Sequence, residues 1–230
     1  MNGYDGFGGV HDNLIWHVTG GLTYFTLNNK LIIEDTKSRA QTVLAETTVQ
    51  LSCMAATGDG KSVDGRFLAV GEGSPSGGSG RSYILVFDLE RRKLHRRLGF
   101  HQKGIQSLAF SPDGGFLVSV GVQAENTLAV WDLNAGVVIR HQSLGAAATN
   151  QVKMDPSVDY PCIGFISVGN QACLRRWRMD TDARQLEWYE EPSPEEIQNL
   201  NFLSVEFIRA PGSAPSALIG ADDGSLLTYD

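Results

Sequence analysis

The sequence predicts an all-β protein assembled from about five copies of a four-stranded antiparallel unit. Three observations carry that expectation. Stretches with apolar residues at i, i+3, i+4 and i+7 are almost absent, while period-two or short apolar runs bounded by Gly, Pro, Asn and Asp recur throughout. The segment His101 to Leu144 divides into four such runs separated by turn-rich joints. A short motif from that segment returns along the chain at near-regular intervals.

Within that segment the strands run from Ile105 to Phe110, Phe116 to Val120, Thr127 to Trp131 and Val137 to Gln142. The joints SPDGG, GVQAEN and DLNAG are rich in residues that tighten turns or tolerate positive φ, so three hairpins in series make a meander. The recurring motif is the third strand: LIIED, ILVFD, LAVWD, LRRWR and LLTYD end at residues 35, 88, 132, 178 and 230, which lie 53, 44, 46 and 52 positions apart. A period of about 40 to 50 residues with four strands per copy is the signature of propeller blades. One such sheet leaves both faces bare until neighbours stack on it. The units divide at about 1–46, 47–100, 101–145, 146–200 and 201–230, and the last lacks an outer strand. One helical turn is expected, in SPEEIQNLNFL, with Ser193 as N-cap, Pro194 at the first position and Glu196 three residues after the cap.

The 230 residues are 42% hydrophobic and 20% charged, with a formal net charge of −7. That describes a folded globular chain and argues against a global pull toward nucleic acid or anionic membrane. The opening MNGYDGFGGV has no basic and no apolar region of a leader, and no apolar run reaches the length of a spanning helix, so the expected location is the cytoplasm. Cys53, Cys162 and Cys173 are odd in number and sit among apolar residues, which suits buried thiols in a reducing compartment.

AATGDGKS, Ala55 to Ser62, spells the phosphate-binding loop of nucleotide-binding proteins. That loop needs a strand before its glycines and a helix starting at its Lys-Ser pair. VQLSCMA supplies the strand, but the β-type run RFLAVG begins too soon after Ser62 for any helix, and the motif falls at a hairpin of the second unit. No nucleotide site is expected. GEGSPSGGSG, at the next hairpin, reads as an extended loop without a hydrophobic anchor, its role open. His11, His17, His95, His101 and His141 have no metal-binding neighbours at ligand spacing, and no nucleophile elbow is present, so neither metal nor cofactor nor catalytic residue is assigned. The acids Glu190, Glu191, Glu195 and Glu196 are nearly consecutive and interrupted by proline, as in a solvated connector. RRKLHRR is the sharpest charge feature. By register Arg91, Arg92, Lys93, Arg96 and Arg97 fall on the outermost strand of the second unit, where cations either block edge pairing or meet an acidic partner. Arg175, Arg176 and Arg178 form a weaker second cluster, whose alternation points some of them toward a neighbouring blade.

The segment from His101 to Leu144 resembles a WD40 repeat. LGFH stands where that family has Gly-His, LAFSPDG matches its first strand and turn, and LAVWD its closing Trp-Asp. The resemblance implies a hydrogen-bonded network of His101, Ser119, Glu125 and Trp131, with Asp132 completing the motif, that fixes blade geometry. Glu125 stands in for the usual Asp and Phe100 splits the Gly-His pair. Elsewhere Phe87 and Tyr229 replace the tryptophan, Glu34 breaks its apolar position, and Arg178 replaces the aspartate after Trp177. GYDGFGG, LIIED, GEGSPSGGSGRSYILVFD and SVGVQAENTLAVWD, in that order, resemble the echinoderm-microtubule-associated-protein-like group and related cilia- and flagella-associated WD-repeat proteins. What this resemblance implies is a non-enzymatic protein-binding scaffold whose partners are tubulin, microtubules or ciliary structural proteins, in an axoneme or centriole. Rings of this family usually have seven blades, which implies that the chain is an arc of a longer protein or assembly. Two other readings stay open: a WD40 adaptor in a signalling or ubiquitin-ligase assembly, and, on fold analogy alone, a propeller enzyme.

Overall fold

The computed structural model of the chain describes residues 14–17, 21–58, 65–75, 80–158, 160–208 and 213–229. Five antiparallel meanders follow one another. The first sheet holds β1 (Leu14–His17), β2 (Leu22–Leu27), β3 (Lys30–Asp35) and β4 (Gln41–Glu46). The second holds β5 (Leu51–Ala56), β6 (Phe67–Glu72), β7 (Tyr83–Asp88) and β8 (Lys93–Gly99). The third comprises β9 (Ile105–Phe110), β10 (Phe116–Gly121), β11 (Thr127–Asp132) and β12 (Val137–Ser143). The fourth comprises β13 (Thr149–Asp155), β14 (Cys162–Gly169), β15 (Leu174–Asp180) and β16 (Gln185–Glu190). The fifth has three described strands, β17 (Phe202–Ile208), β18 (Ser216–Ala221) and β19 (Leu226–Tyr229). Asp230, the last residue of the fifth motif, lies outside the described residues.

Each sheet buries its side chains against the next. One apolar layer joins Tyr24, Leu31 and Ile33 to Leu68, Val70 and Phe87, and a second joins Ile84, Val86 and Leu98 to Ile105, Leu117 and Trp131. A third layer sets Val118, Leu128 and Val130 against Phe165, Trp177 and Met179, and a fourth sets Ile166, Val168 and Leu174 against Val205, Ala217 and Ile219. A fully buried Val, Leu or Ile is worth about 1.5–3 kcal/mol, so these layers, between sheets rather than within them, hold the molecule together. The innermost strands β1, β5, β9, β13 and β17 adjoin in chain order.

Two repeated devices explain the motif. The acid ending the third strand caps the following hairpin: the Oδ1 atoms of Asp35, Asp88, Asp132 and Asp180 accept from the backbone N–H of Ser38, Arg91, Ala135 and Ala183. The fourth repeat shifts this job. Arg178 occupies the place of the aspartate, β15 runs two residues further, and Asp180 supplies the cap. The third residue of an inner strand bridges to the next sheet: Cys53 Sγ lies 3.8 Å from the Ile105 carbonyl, Ser107 Oγ accepts from Val152 N at 3.2 Å, and Gln151 Oε1 accepts from Val205 N at 2.6 Å.

The turn after β16 departs from expectation. It is a short 3-10 helix, Glu195–Ile197, with Pro194 at its cap and no side-chain cap bond. Ser193 Oγ instead donates to the Ala172 carbonyl at 2.7 Å, which takes it away from the helix. Cys53, Cys162 and Cys173 are buried thiols, none of them in a disulfide.

Candidate functional site

In the third sheet β10 brings Ser119 into the layer facing the second sheet, where β11 delivers Trp131. His101, on the chain entering β9, reaches into the same layer and is fully buried. Trp131 Nε1 donates to Ser119 Oγ at 2.9 Å; His101 Nε2 lies 2.8 Å from the same oxygen, and His101 Nδ1 lies 2.8 Å from Glu125 Oε1. With Nδ1 donating to Glu125 and Nε2 accepting the Ser119 hydroxyl proton, every polar group in the chain of bonds is satisfied. Glu125 Oε2 also accepts from the backbone N–H of Gln102 at 2.7 Å and Lys103 at 3.0 Å. Burial works against its charge, but the His101 bond and these two amides outweigh it and hold the Glu125 carboxyl below the ordinary carboxylate range. Phe100, the inserted residue, packs edge-on against His101 and Trp131 at ring separations of 5.3 and 6.3 Å. Asp132 stands outside this network as the hairpin cap.

The other sheets build the same position differently. In the fourth, Trp177 Nε1 donates to Ser167 Oγ at 2.9 Å, but Ala129, which faces Ser119 across β10 and β11, has Arg175 as its counterpart facing Ser167. Arg175 Nε then pairs with Glu190 Oε2 at 2.7 Å across the strands. In the first sheet Glu34 occupies the tryptophan position and is held by Gln41 and Arg39, each at 2.6 Å. In the second, Phe87 packs in an apolar layer.

The cationic run divides in two. Arg91 and Arg92 lie in the hairpin turn between β7 and β8, not on the strand; the positive φ of 50° at Arg92 turns the chain there, and Lys93 opens β8. All three are exposed. Arg91 Nε is 3.9 Å from Asp88 Oδ2, an atom Arg66 already holds at 3.3 Å. The Arg91 backbone N–H, then Arg66, keep Asp88 below the usual carboxylate range against the effect of its burial. Arg96 is half-buried and anchored: its Nη2 donates to the Asn134 carbonyl of the third sheet at 3.4 Å. The Arg97 guanidinium lies 3.7 Å over the Tyr83 ring. His95 packs on Phe67 with ring centroids 5.0 Å apart, and burial followed by the charge of Arg96 pushes its pKa down. The sequence run therefore yields an exposed tip of Arg91, Arg92 and Lys93, a half-buried Arg96 tied to the third blade, and an exposed Arg97 resting on Tyr83.

Arg176 lies 5.4 Å from the Tyr229 ring and Arg178 points its Nε and Nη2 at Cys162 Sγ, both 3.4 Å away. Glu190 is in β16 and Glu195 and Glu196 are in the 3-10 turn. Lys61 and Ser62, 76–79 of the glycine-rich loop, and His11 lie outside the described residues. Among the described residues no group of three His, Cys, Asp or Glu side chains is placed to hold a metal, and no helix is long and apolar enough to cross a membrane.

Among solved structures, the chain superposes on U3-55K with a TM-score of 0.67 over 96% of this chain and 62% of that one, at 15% identity. It superposes on the Cps50 (Swd1) β-propeller domain of Myceliophteria thermophila with a TM-score of 0.60 over 80% and 52%, at 22% identity. With the His101, Ser119 and Trp131 bonds in hand, that likeness decides the fold. The five sheets are WD40-type propeller blades. No family model matches the sequence. Among curated proteins, the blades are 34% identical over 155 residues to cilia- and flagella-associated protein 52 of Chlamydomonas reinhardtii, and 30% identical over 150 residues to centriole proteome protein 16 of the same alga. WD repeat-containing protein 90 of Mus musculus aligns with 99% of the chain at 24% identity. The chain spans 24%, 7% and 11% of those three relatives. Two of these relatives are thus named for cilia and flagella or for the centriole and the third for its WD repeats, in accord with the resemblance read from the sequence.

Proposed function

We propose that this propeller chain is a non-enzymatic binding scaffold of the ciliary or centriolar cytoskeleton, located with microtubules and contacting them through the rim of its second blade. The observation that carries the reading is the hairpin tip: Arg91, Arg92 and Lys93 are exposed on a chain of net charge −7, and of the two acids beside them in the sequence Asp88 is buried and already held by Arg66, which leaves the exposed Glu90 against three cations. Charge concentrated on a hairpin against an acidic background steers an acidic surface to one place. The names of the relatives support the cellular setting. Cosedimentation with microtubules tests the reading. The chain is expected to pellet with them, less so as salt rises, and the Arg91→Glu/Arg92→Glu variant to bind about tenfold more weakly, a loss of about 1.4 kcal/mol. No pelleting at low salt, or equal pelleting by the variant, contradicts it.

A further inference from the structure

The rim of the second blade holds more than its hairpin tip. β7 and β8 pair regularly from Tyr83 opposite Gly99 to Val86 opposite Arg96; the pairing then shifts, and Phe87 stands opposite Leu94. Leu85 and Phe87 belong to the apolar layer shared with the first blade, so Arg97 and Leu94, their partners across the ladder, stand on that same side. Residues three apart in a regular strand point to opposite faces. The extra residue at His95 brings these two onto one face at the spacing of i and i+2, about 7 Å. Leu94 is 51% exposed, and Arg97 is exposed beside it. Beyond Leu94 the row ends at the tip, where Arg92 acts toward the first blade: burial pushes the Tyr24 pKa up and the Arg92 charge works against it.

The chemistry of this row selects its occupant. The Arg97 guanidinium lies over the Tyr83 ring, 3.7 Å from its centroid, and a guanidinium stacked in this way keeps its N–H edge for a carboxylate. Among the described residues no carboxylate pairs with Arg92, Lys93 or Arg97, since Asp88 is taken up by Arg66 and the Arg91 backbone. On the facing rim, the β4 residues turned to the second blade are Thr42, Leu44 and Ala45, which carry no charge. The row therefore reads cation, apolar, cations, and an extended chain sets its residues i, i+2 and i+4 on one side at the same spacing of about 7 Å. We propose that the rim of the second blade binds an extended acidic segment of a partner protein in which an apolar residue sits between acids. One carboxylate meets Arg97, the apolar side chain covers Leu94, and the next carboxylate meets Arg92 and its neighbours at the tip. The bulge at His95 hinders addition of the segment as a further strand, so side chains carry the recognition. This rests on the scaffold reading for the sign of the partner's charge, and on nothing else in it.

The probe is a fluorescein-labelled peptide of about nine residues, with Leu at its centre, Glu at the other alternate positions and Ser between them. Its control has the same composition, with the Leu exchanged for a neighbouring Ser so that it falls on the opposite side of the extended chain. Anisotropy with the full chain at low salt is expected to show the control binding about fivefold more weakly. Leu94→Ser is expected to erase that difference, and Arg97→Glu to weaken both peptides about tenfold, each variant melting as the parent does. Equal affinities of the two peptides for the parent, or an undiminished difference in Leu94→Ser, overturns the proposal. So does an oligothymidylate of the same length that competes as well as the peptide, because any polyanion would then suffice. Microtubule pelleting that needs the tip, together with equal peptide affinities, would leave the scaffold reading standing and this one not; discrimination between the peptides without pelleting would do the reverse.

Discussion

Ser119 accepts from the Trp131 indole and lies within bonding distance of His101, so a single hydroxyl ties two strands and the chain entering the blade. Trp131→Phe keeps most of the buried ring and leaves that hydroxyl short of one donor. The expected loss is about 1–3 kcal/mol, read as a lower denaturant midpoint with unchanged slope; an unchanged midpoint would mean the bond contributes nothing. The pH dependence follows from Glu125. Its folded pKa lies below the unfolded value of about 4.3, so its contribution is complete above that pH and is lost as pH falls through the folded value. The stability gap between the parent and Glu125→Gln is therefore expected to narrow between neutral and acid pH in denaturant melts, and a gap that widens would reverse the sign. His101, Ser119 and Trp131 were legible because a repeat spells them in order. Arg175 was not: its task depends on facing Ser167 across two strands and on Glu190 coming from a third, and spacing along the chain carries none of that.

Strand positions in the third blade were legible to within a residue, because apolar runs and turn residues are local properties. Bulges were not, since a bulge is a mismatch of residue count between two strands. Each of the second to fifth blades has one between its two inner strands, and each of the first three has one at the rim. The inner bulges bend the strands where the blades converge. The fourth shows what that closeness demands: a Cβ on Gly169 would collide with the Ala148 carbonyl oxygen, a backbone atom that cannot rotate away. Gly169→Ala is expected to cost about 3 kcal/mol in denaturant melts. A loss below about 1 kcal/mol would show that the two inner strands separate easily. The displaced cap at Asp180 was missed for a related reason. The repeat fixes where a third strand begins its apolar run, but the hairpin decides where it ends.

For the whole molecule, the apolar layers between successive blades set the shape and leave function to the rims and loops. The run RRKLHRR was visible as charge, but only the fold divides it into an exposed tip, the anchored Arg96 and an exposed Arg97 resting on Tyr83. That division gives the scaffold account its sharpest consequence, because Lys93 at the tip carries an amine that can be joined to a touching carboxylate. Zero-length carbodiimide cross-linking of the chain on microtubules, read by mass spectrometry, is the most direct measurement. The account predicts that Lys93 is joined to acidic residues of tubulin and that raised salt removes the product; cross-links that instead gather on Lys103 or Lys153 and spare Lys93 would contradict it.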